Sequence, residues 1–328
     1  MKILLAGGFL GKSLREQFSL QPSPEAVLLK ELHELGQDVT GIGLKAWSTF
    51  WRTRADVLHV HHMSKMAVVA AALRRRVVFT QHGGVYATSG LRGLAERLVW
   101  RRVAAVVCLS SAEEAEKLRL FPHLRGRTWV IPNGTVPVAV ADSVRSWQPG
   151  SEFVIATVGQ LIELKRVDLA IRTLASLPPF FVLELTYHND ELVGELGELA
   201  RSLGVENRVR FLGRASGEAL AERYRRAHLL LLTSRTESLP SVVTEALMAG
   251  LPVVATDVGA VADQVGTAGI CVRLEDSRYL GAIDEVVDRY AHYAANALNR
   301  GKELMKHSPA KMAAMHLELY RTIGRRGR

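Results

Sequence analysis

The chain has 328 residues, 48% of them hydrophobic, and a formal net charge of +9, which excludes a disordered polypeptide and suits two cores of ordinary domain size better than one. Its apolar runs, such as AHLLLL at 227–232, fall far short of the roughly 20 residues a membrane-spanning helix needs. Two cysteines, Cys108 and Cys271, both inside strand-like runs, offer neither a disulfide framework nor a metal cluster and read as buried apolar residues.

Strand candidates alternate with helical patterns along the chain. In the first half they are KILLAG (2–7), DVTGIGL (38–44), VLHVHH (57–62), VVFTQHG (77–83), AAVVCLS (104–110) and TWVIPNG (128–134). A segment with two prolines, a glycine and several serines but no clear period, 136–151, reads as a linker. In the second half the candidates are FVIATVGQ (153–160), FFVLELTY (180–187), RVRFLG (208–213), LLLLTS (229–234), PVVATD (252–257) and GICVRL (269–274). A long helical pattern from Ser277 to about Lys306 follows, and a last helix starts at the Ser-Pro of SPAKMAAMHLELYRTIG, ends at Gly324 and leaves RRGR as a frayed tail. Short, β-branched, mostly apolar strands of this kind are covered by helices on both faces, so two doubly wound parallel sheets are expected.

In such sheets ligands bind beyond the carboxyl ends of the strands. After the first strand, AGGFLGKS places Gly7, Gly8 and Gly11 where backbone N–H groups can approach an anion. The G-x-G-x-x-G spacing is absent and no Tyr-x-x-x-Lys pair occurs, so an NAD-dependent oxidoreductase is a minor alternative. His82 follows the fourth strand. In HVHH, His59 and His61 share a strand face while His62 points away, which gives no local three-histidine metal site. After the seventh strand Gly159 and Gln160 lead to Lys165 at the start of an amphipathic helix, a setting that suits a diphosphate. After the tenth, the loop RTESLP carries Glu237, and the helix beginning near Pro240 carries Glu245 one to two turns in, leaning back toward the same strand ends.

The stretches VGQLIELKR (158–166) and RVRFLGRASGEALAERYRRAHLLLLTSRTESLPSVVTEALMAGLPVVATDVGAVADQV (208–265), with the E-x7-E pair Glu237 and Glu245, resemble the family 4 glycosyltransferases. Resemblance is strong over about 153–275 and moderate at ADVLHVHH, FTQHGG and VIPNG. It implies an α/β GT-B fold: an acceptor-binding Rossmann-like domain at 1–148, a nucleotide-sugar-binding one at 149–306 with a cleft between them, and a helix at 307–328 that packs back toward the first domain. It further implies a retaining, metal-independent transfer from a nucleotide-diphosphate sugar, UDP- or GDP-linked, with no cofactor. By the same resemblance Glu237 and the backbone of Ser238 and Leu239, ahead of Pro240, hold the sugar hydroxyls and diphosphate, Glu245 the ribose, and Lys165 the leaving group. Arg214 lies near the nucleobase, His82 faces the donor sugar, and Gly7 and Gly8 approach the diphosphate. Two departures stand out: Gln160 where the family has arginine, with Arg166 in a position the family gives to glycine as a possible replacement, and TYHND (186–190) in place of a glycine-rich turn. A catalytically inactive nucleotide-sugar-binding relative is the main alternative they raise.

Charge is uneven. Residues 1–150 hold 20 Lys+Arg against 11 Asp+Glu, and residues 151–328 hold 22 against 22. The excess points to an anionic partner of the first half, an acceptor or a membrane surface. Leu91, Leu94, Leu98 and Val99 with Arg92, Arg97, Arg101 and Arg102 read first as an ordinary helix packed on its sheet and, as the alternative, as a basic amphipathic helix at a membrane surface. The arginine clusters at 74–76 and 97–102 lack interleaved aromatics and a recognition helix, so no nucleic-acid partner is expected. A cytoplasmic protein, in peripheral contact with anionic membrane, is the corresponding expectation.

Overall fold

A computed structural model describes residues 1–8, 10, 23–73, 76–80, 82, 90–274 and 278–325, without the side chains of Arg92 and Arg325. Gly11, Gly83, Gly84, Arg74, Arg75 and the last three residues of the RRGR tail, all invoked above, lie outside the described residues.

Contacts divide the chain into two units, Met1–Val136 with His307–Arg328, and Pro137–Lys306. In unit 1 the strands β1 (Lys2–Gly7), β2 (Asp38–Gly43), β3 (Val57–His61), β4 (Val77–Thr80), β5 (Ala105–Cys108) and β6 (Thr128–Val130) form one parallel sheet in the order β2-β1-β3-β4-β5-β6. Helices α1 (Pro24–Glu34), α2 (Trp47–Arg52), α3 (Lys65–Leu73), α4 (Gly90–Arg102) and α5 (Ser111–Leu120) connect or flank these strands. One sheet face buries Ile3, Leu5, Val57 and Val107, the other Leu4, Leu58, Val60 and Phe79. The inner strands β1, β4 and β5 are thus apolar on both faces, as a covered sheet demands, whereas β3 carries buried His59 and His61.

Unit 2 repeats the design. Its strands are β7 (Phe153–Val158), β8 (Phe181–Thr186), β9 (Val209–Gly213), β10 (Leu229–Leu232), β11 (Val253–Thr256) and β12 (Gly269–Val272), parallel in the order β12-β11-β10-β7-β8-β9. Its helices are α6 (Val167–Ser176), α7 (Val193–Ser202), α8 (Gly217–Arg226), α9 (Ser241–Met248), α10 (Val261–Val265), α11 (Tyr279–Asp288) and α12 (Tyr290–Leu304). In α6 the buried set Val167, Ala170, Ile171 and Leu174 follows helical spacing, and each such residue removed from water contributes roughly 1–3 kcal/mol. Gly301 of α12 lets the helix pass α9, since a Cβ there would lie 2.2 Å from the Leu247 carbonyl oxygen.

The structure differs from the sequence reading in three places. The helical pattern over 277–306 is two helices broken at Arg289 (φ −117°, ψ 34°), because Tyr290 is anchored through its hydroxyl to the His228 carbonyl (3.0 Å) and by its ring against Phe153. The unit boundary falls at Val136/Pro137 rather than at 148/149. Residues after Pro137 pack on unit 2: Ala141 N donates to Met248 O (2.9 Å), and the Arg145 guanidinium donates to the carbonyls of Tyr224, Arg225, Ala227 and Ala249. A side chain with five fixed donors satisfies those carbonyls at once, so the segment is not a free linker. Cys271 is partly exposed, whereas Cys108 is buried; both are free thiols.

The terminal helix α13 (Pro309–Arg325) belongs to unit 1. It buries Met312, Ala313, Leu317 and Tyr320 against the face that holds Ile3, Leu5 and the apolar side of α1. His59 on β3 joins it by a 2.6 Å Nδ1–hydroxyl contact to Tyr320.

Candidate functional site

Strand order reverses between β10 and β7 in unit 2 and between β1 and β3 in unit 1, and crevices open at such switch points. At the first of them two loops are laced together: Arg235 N donates to Leu164 O (2.7 Å) and the Thr233 hydroxyl to the Lys165 carbonyl (3.0 Å). The β7 loop delivers Lys165 at the end of a short 3-10 turn, and the β10 loop delivers Glu237. Lys165 Nζ donates to Glu237 Oε1 at 2.5 Å, with side-chain exposures of 27% and 11%. Both groups are thus held at the strand ends yet reachable by a ligand. Gly159 sits beside them, its absent Cβ 4.0 Å from Lys165 Cε.

Glu237 depends on a glycine that the sequence reading did not single out. Gly259 (φ 58°) packs its α-carbon under the β10 loop, where a Cβ would stand 2.1 Å from the Glu237 carbonyl oxygen, and Ala260 N donates to Ser238 O (2.9 Å). Ser238 and Leu239 form the bend that follows, half-buried, and Pro240 is the N-cap of α9, where it makes no side-chain cap hydrogen bond. Gln264 Nε2 donates to the Pro240 carbonyl (3.1 Å) and pins that entry. Glu245 is only 2% exposed, and its Oε2 accepts from the Tyr224 hydroxyl (2.9 Å). Burial, then the Glu245 charge, holds the tyrosine well above its ordinary pKa, so it remains a donor.

The remaining sequence-predicted residues of unit 2 divide. Arg166 occupies a left-handed conformation (φ 48°), which explains a preference for glycine there, and both its Nε and Nη2 are held by Asp168 (2.9 and 3.0 Å). Its guanidinium therefore already has a carboxylate partner. Gln160 Nε2 lies 3.1 Å from His188 Nε2, so the two departures from the family pattern touch. His188, and Arg214 beyond it after β9, are exposed; partial desolvation of the ring and then the Arg214 charge keep the His188 pKa below its ordinary value. Arg223 fastens these strand ends, donating to Thr186 Oγ1, Gly213 O and Leu212 O.

In unit 1 the switch point gathers Gly7, Gly8, Glu25, His61, His62 and His82. A Cβ on Gly7 would meet Glu25 Cγ at 2.9 Å, and one on Gly8 would lie 4.0 Å from the His62 ring. His61 Nδ1 and His82 Nε2 are 3.0 Å apart in stacked rings, while His62, turned by a positive φ of 74°, places Nε2 3.7 Å from Glu25 Oε1. Burial is the first cause that lowers the His82 pKa to about 4 and those of His59 and His61 well below the ordinary value, so these rings are neutral at pH 7. Glu25, His61 and His82 offer ligand atoms within 4.8 Å of one another, a nitrogen and oxygen set of the kind zinc accepts. Glu25 reaches this cluster from α1, which the strand-by-strand reading of HVHH did not include.

The amphipathic reading of 91–102 is divided by the structure. Val99 is buried, as is neighbouring Trp100 against Phe79, whereas Leu91 and Leu94 are 89% and 65% exposed, and Arg97, Arg101 and Arg102 are exposed. Among the described residues no helix is long and apolar enough to cross a membrane.

Two family models match the chain in succession, Glycosyltransferase Family 4 over residues 27–137 and Glycosyl transferases group 1 over 142–294. The D-inositol 3-phosphate glycosyltransferase of Mycolicibacterium smegmatis is 37% identical over 149 residues, 43% of this chain and 34% of that protein. The enzyme of that name from Nocardia farcinica is 30% identical over 249 residues, 70% of this chain and 53% of its own length. The chain thus spans between a third and about half of these curated relatives. Among solved structures, sucrose-phosphate synthase from Thermosynechococcus elongatus superposes with a TM-score of 0.81 at 18% identity, over 98% of this chain and 99% of that one. The Anabaena protein Alr3699/HepE in complex with UDP-glucose gives 0.75 at 20% identity, over 98% and 100%. At such identities these two establish a shared fold, the GT-B pair of parallel six-stranded sheets.

Proposed function

The chain belongs to glycosyltransferase family 4, and we propose that it is a retaining, metal-independent enzyme that moves a hexosyl group from a UDP- or GDP-linked sugar to a hydroxyl acceptor. One observation carries this: the Lys165–Glu237 pair at the β7/β10 switch point, beside the start of α9, whose N-cap residue Pro240 makes no side-chain cap hydrogen bond. Cleaving a glycosyl–phosphate bond leaves negative charge on the diphosphate and positive charge on the sugar ring. An ammonium and helix N–H dipoles stabilise the first, and a carboxylate placed to hold sugar hydroxyls opposes the second. The ion pair holds the two side chains against each other until the donor separates them, the lysine going to phosphate oxygens and the carboxylate to hydroxyls. Glu245 takes the ribose, Arg214 the neighbourhood of the base, and the backbone of Gly159, Ser238 and Leu239 the phosphates. Within unit 1, the neutral His82 imidazole can hydrogen-bond a sugar hydroxyl, and at Gly7 and Gly8 the backbone can approach an anion. With no second carboxylate read as a nucleophile, the acceptor attacks on the face the leaving group departs from. The relatives that carry D-inositol 3-phosphate in their names, and the basic excess of residues 1–150, support an anionic acceptor; the arginines of α4 support one presented at a membrane.

Titration calorimetry with UDP and GDP, followed by turnover of the corresponding sugar donors, tests this reading. Lys165→Ala and Glu237→Gln lower kcat by about 10²–10³ with unchanged melting. Wild-type turnover in both variants ends the catalytic assignment. Gln160, an uncharged residue in a phosphate-facing position, favours a second reading, a donor-binding protein without turnover; selective nucleotide binding with no transfer or hydrolysis identifies it.

A further inference from the structure

Along the carboxyl ends of four consecutive strands of the unit 2 sheet runs a continuous row of polar groups. Glu237 after β10 holds Lys165 after β7, Lys165 adjoins Gly159, Gln160 follows and contacts His188 after β8, and Arg214 after β9 acts electrostatically on His188. Two of the cations near this row already have carboxylate partners, Lys165 with Glu237 and Arg166 with Asp168. His188 is the group in the row whose charge can change near neutral pH. Its charged surroundings are Arg214 from the β9 loop and, on its own segment, Asp190 and Glu191; the β7 loop presents the uncharged Gln160.

We propose that His188, oriented by Gln160, is a donor-binding residue that gains a proton as the diphosphate binds, so that it serves as a cation for the phosphates only when they are present. This rests on the donor-site reading above. Gln160 Nε2 donates to His188 Nε2 in the neutral ring (3.1 Å), and when that nitrogen takes up a proton the amide turns to offer its oxygen instead. In the free protein partial desolvation and the Arg214 charge favour the neutral ring. Two phosphate charges arriving at hydrogen-bond distance reverse that preference and draw in a proton. The sign follows by linkage: the complex binds more protons than the free protein, so affinity for the donor rises as pH falls from about 8 toward 6, across the ordinary histidine range. A permanently charged arginine at position 160 would bind phosphate without this dependence. The Gln160–His188 pair accordingly makes donor capture pH-sensitive and leaves the leaving-group side less positive between turnovers.

The experiment is titration calorimetry of the full chain with UDP-glucose and GDP-mannose, whose phosphates are both esterified and stay ionised over this range. Each is run at pH 6.0, 7.0 and 8.0 in two buffers of different ionisation enthalpy, which reports protons taken up. Wild type is expected to take up a fraction of a proton at pH 7 and to bind tighter at pH 6 than at pH 8. His188→Gln, which keeps a hydrogen-bonding side chain, should abolish the uptake and weaken binding about tenfold at pH 6 with little change at pH 8, the scale of one charge-assisted hydrogen bond. Gln160→Arg should tighten binding at pH 8 and flatten the pH profile. Lys165→Ala should weaken binding at every pH while leaving the uptake intact. Binding that requires Lys165 but proceeds without proton uptake, and is unaltered in His188→Gln, overturns this inference and leaves the donor site standing. Failure of both donors to bind wild type, or indifference to Lys165→Ala, overturns the donor site and this inference with it.

Discussion

Glu237 is displayed by a loop that rests on a glycine, and the two residues were not equally visible. A carboxylate in a Ser/Pro turn after a buried strand stands out because charged groups at strand ends serve ligands more than cores; Lys165, Gly159 and the Glu237–Glu245 spacing stand out on that ground, and the structure brings Lys165 and Glu237 together beside Gly159. Gly259, Tyr224, His188 and Glu25 do not stand out, because their roles arise from contacts between segments far apart in the chain. Gly259 makes the sharpest test. Its φ of 58° costs a side-chain-bearing residue about 1–2 kcal/mol, and a Cβ would also overlap the Glu237 carbonyl oxygen. Gly204 (φ 68°) has the same backbone requirement but open space around it. Gly204→Ala should therefore lose only about 1 kcal/mol and keep its activity, while Gly259→Ala should lose more than about 2 kcal/mol and, by displacing Glu237, most of its turnover. Denaturant melts paired with donor turnover decide the matter: equal behaviour of the two variants would mean that Gly259 merely closes a turn.

At the level of elements, each of the twelve strand candidates contains a strand of the structure, because a buried parallel strand is a short apolar β-branched run and little else resembles it. Helix ends were less legible. Nothing between Ser277 and Lys306 interrupts the helical period with proline, so the break at Arg289, made by the anchoring of Tyr290, is a tertiary effect. Helix α4 shows the same limit: its apolar residues form one group in sequence, yet the core takes Val99 and Trp100 and leaves Leu91 and Leu94 in water near Arg97 and Arg101. Two exposed leucines with flanking arginines suit an anionic bilayer, where each basic residue near the surface contributes about 1 kcal/mol and salt screens it. Flotation with phosphatidylglycerol-containing vesicles at low salt should recover the protein, and Leu91→Glu with Leu94→Glu should leave it in the soluble fraction without lowering its melting temperature. Equal recovery with purely zwitterionic vesicles, or from the double variant, would assign the two leucines no such role.

At the scale of the whole molecule, the division into two cores was legible from length and from the aperiodic stretch at 136–151, while its position was not, since Arg145 fastens that stretch to unit 2 through backbone carbonyls that carry no sequence signal. The two cores also differ in chemistry, with a consequence for acid stability. Unit 1 buries His59, His61 and His316 and half-buries His82; burial lowers the pKa of His82 and of His316 to about 4, and those of His59 and His61 well below the ordinary value. In the unfolded chain each takes a proton near pH 6.5, so between pH 6.5 and about 4 the unfolded state binds more protons and stability rises with pH. The contribution is fully present above pH 6.5 and is lost as pH falls toward the folded values, up to about 3 kcal/mol for a fully buried ring such as His316. Unit 2 has two comparable histidines, His188 and His228, and neither is fully buried. Urea titrations at pH 7.5 and pH 5.0, read by pulsed hydrogen exchange at a common labelling pH, should show the midpoint of β3 and α13 falling by more than that of β7 and β10. His316→Met, which keeps an apolar group of similar length in the same packing, should shrink the fall in unit 1 and leave unit 2 unchanged. A common shift of both units, or an earlier loss of β7 and β10, would place the acid-labile groups elsewhere.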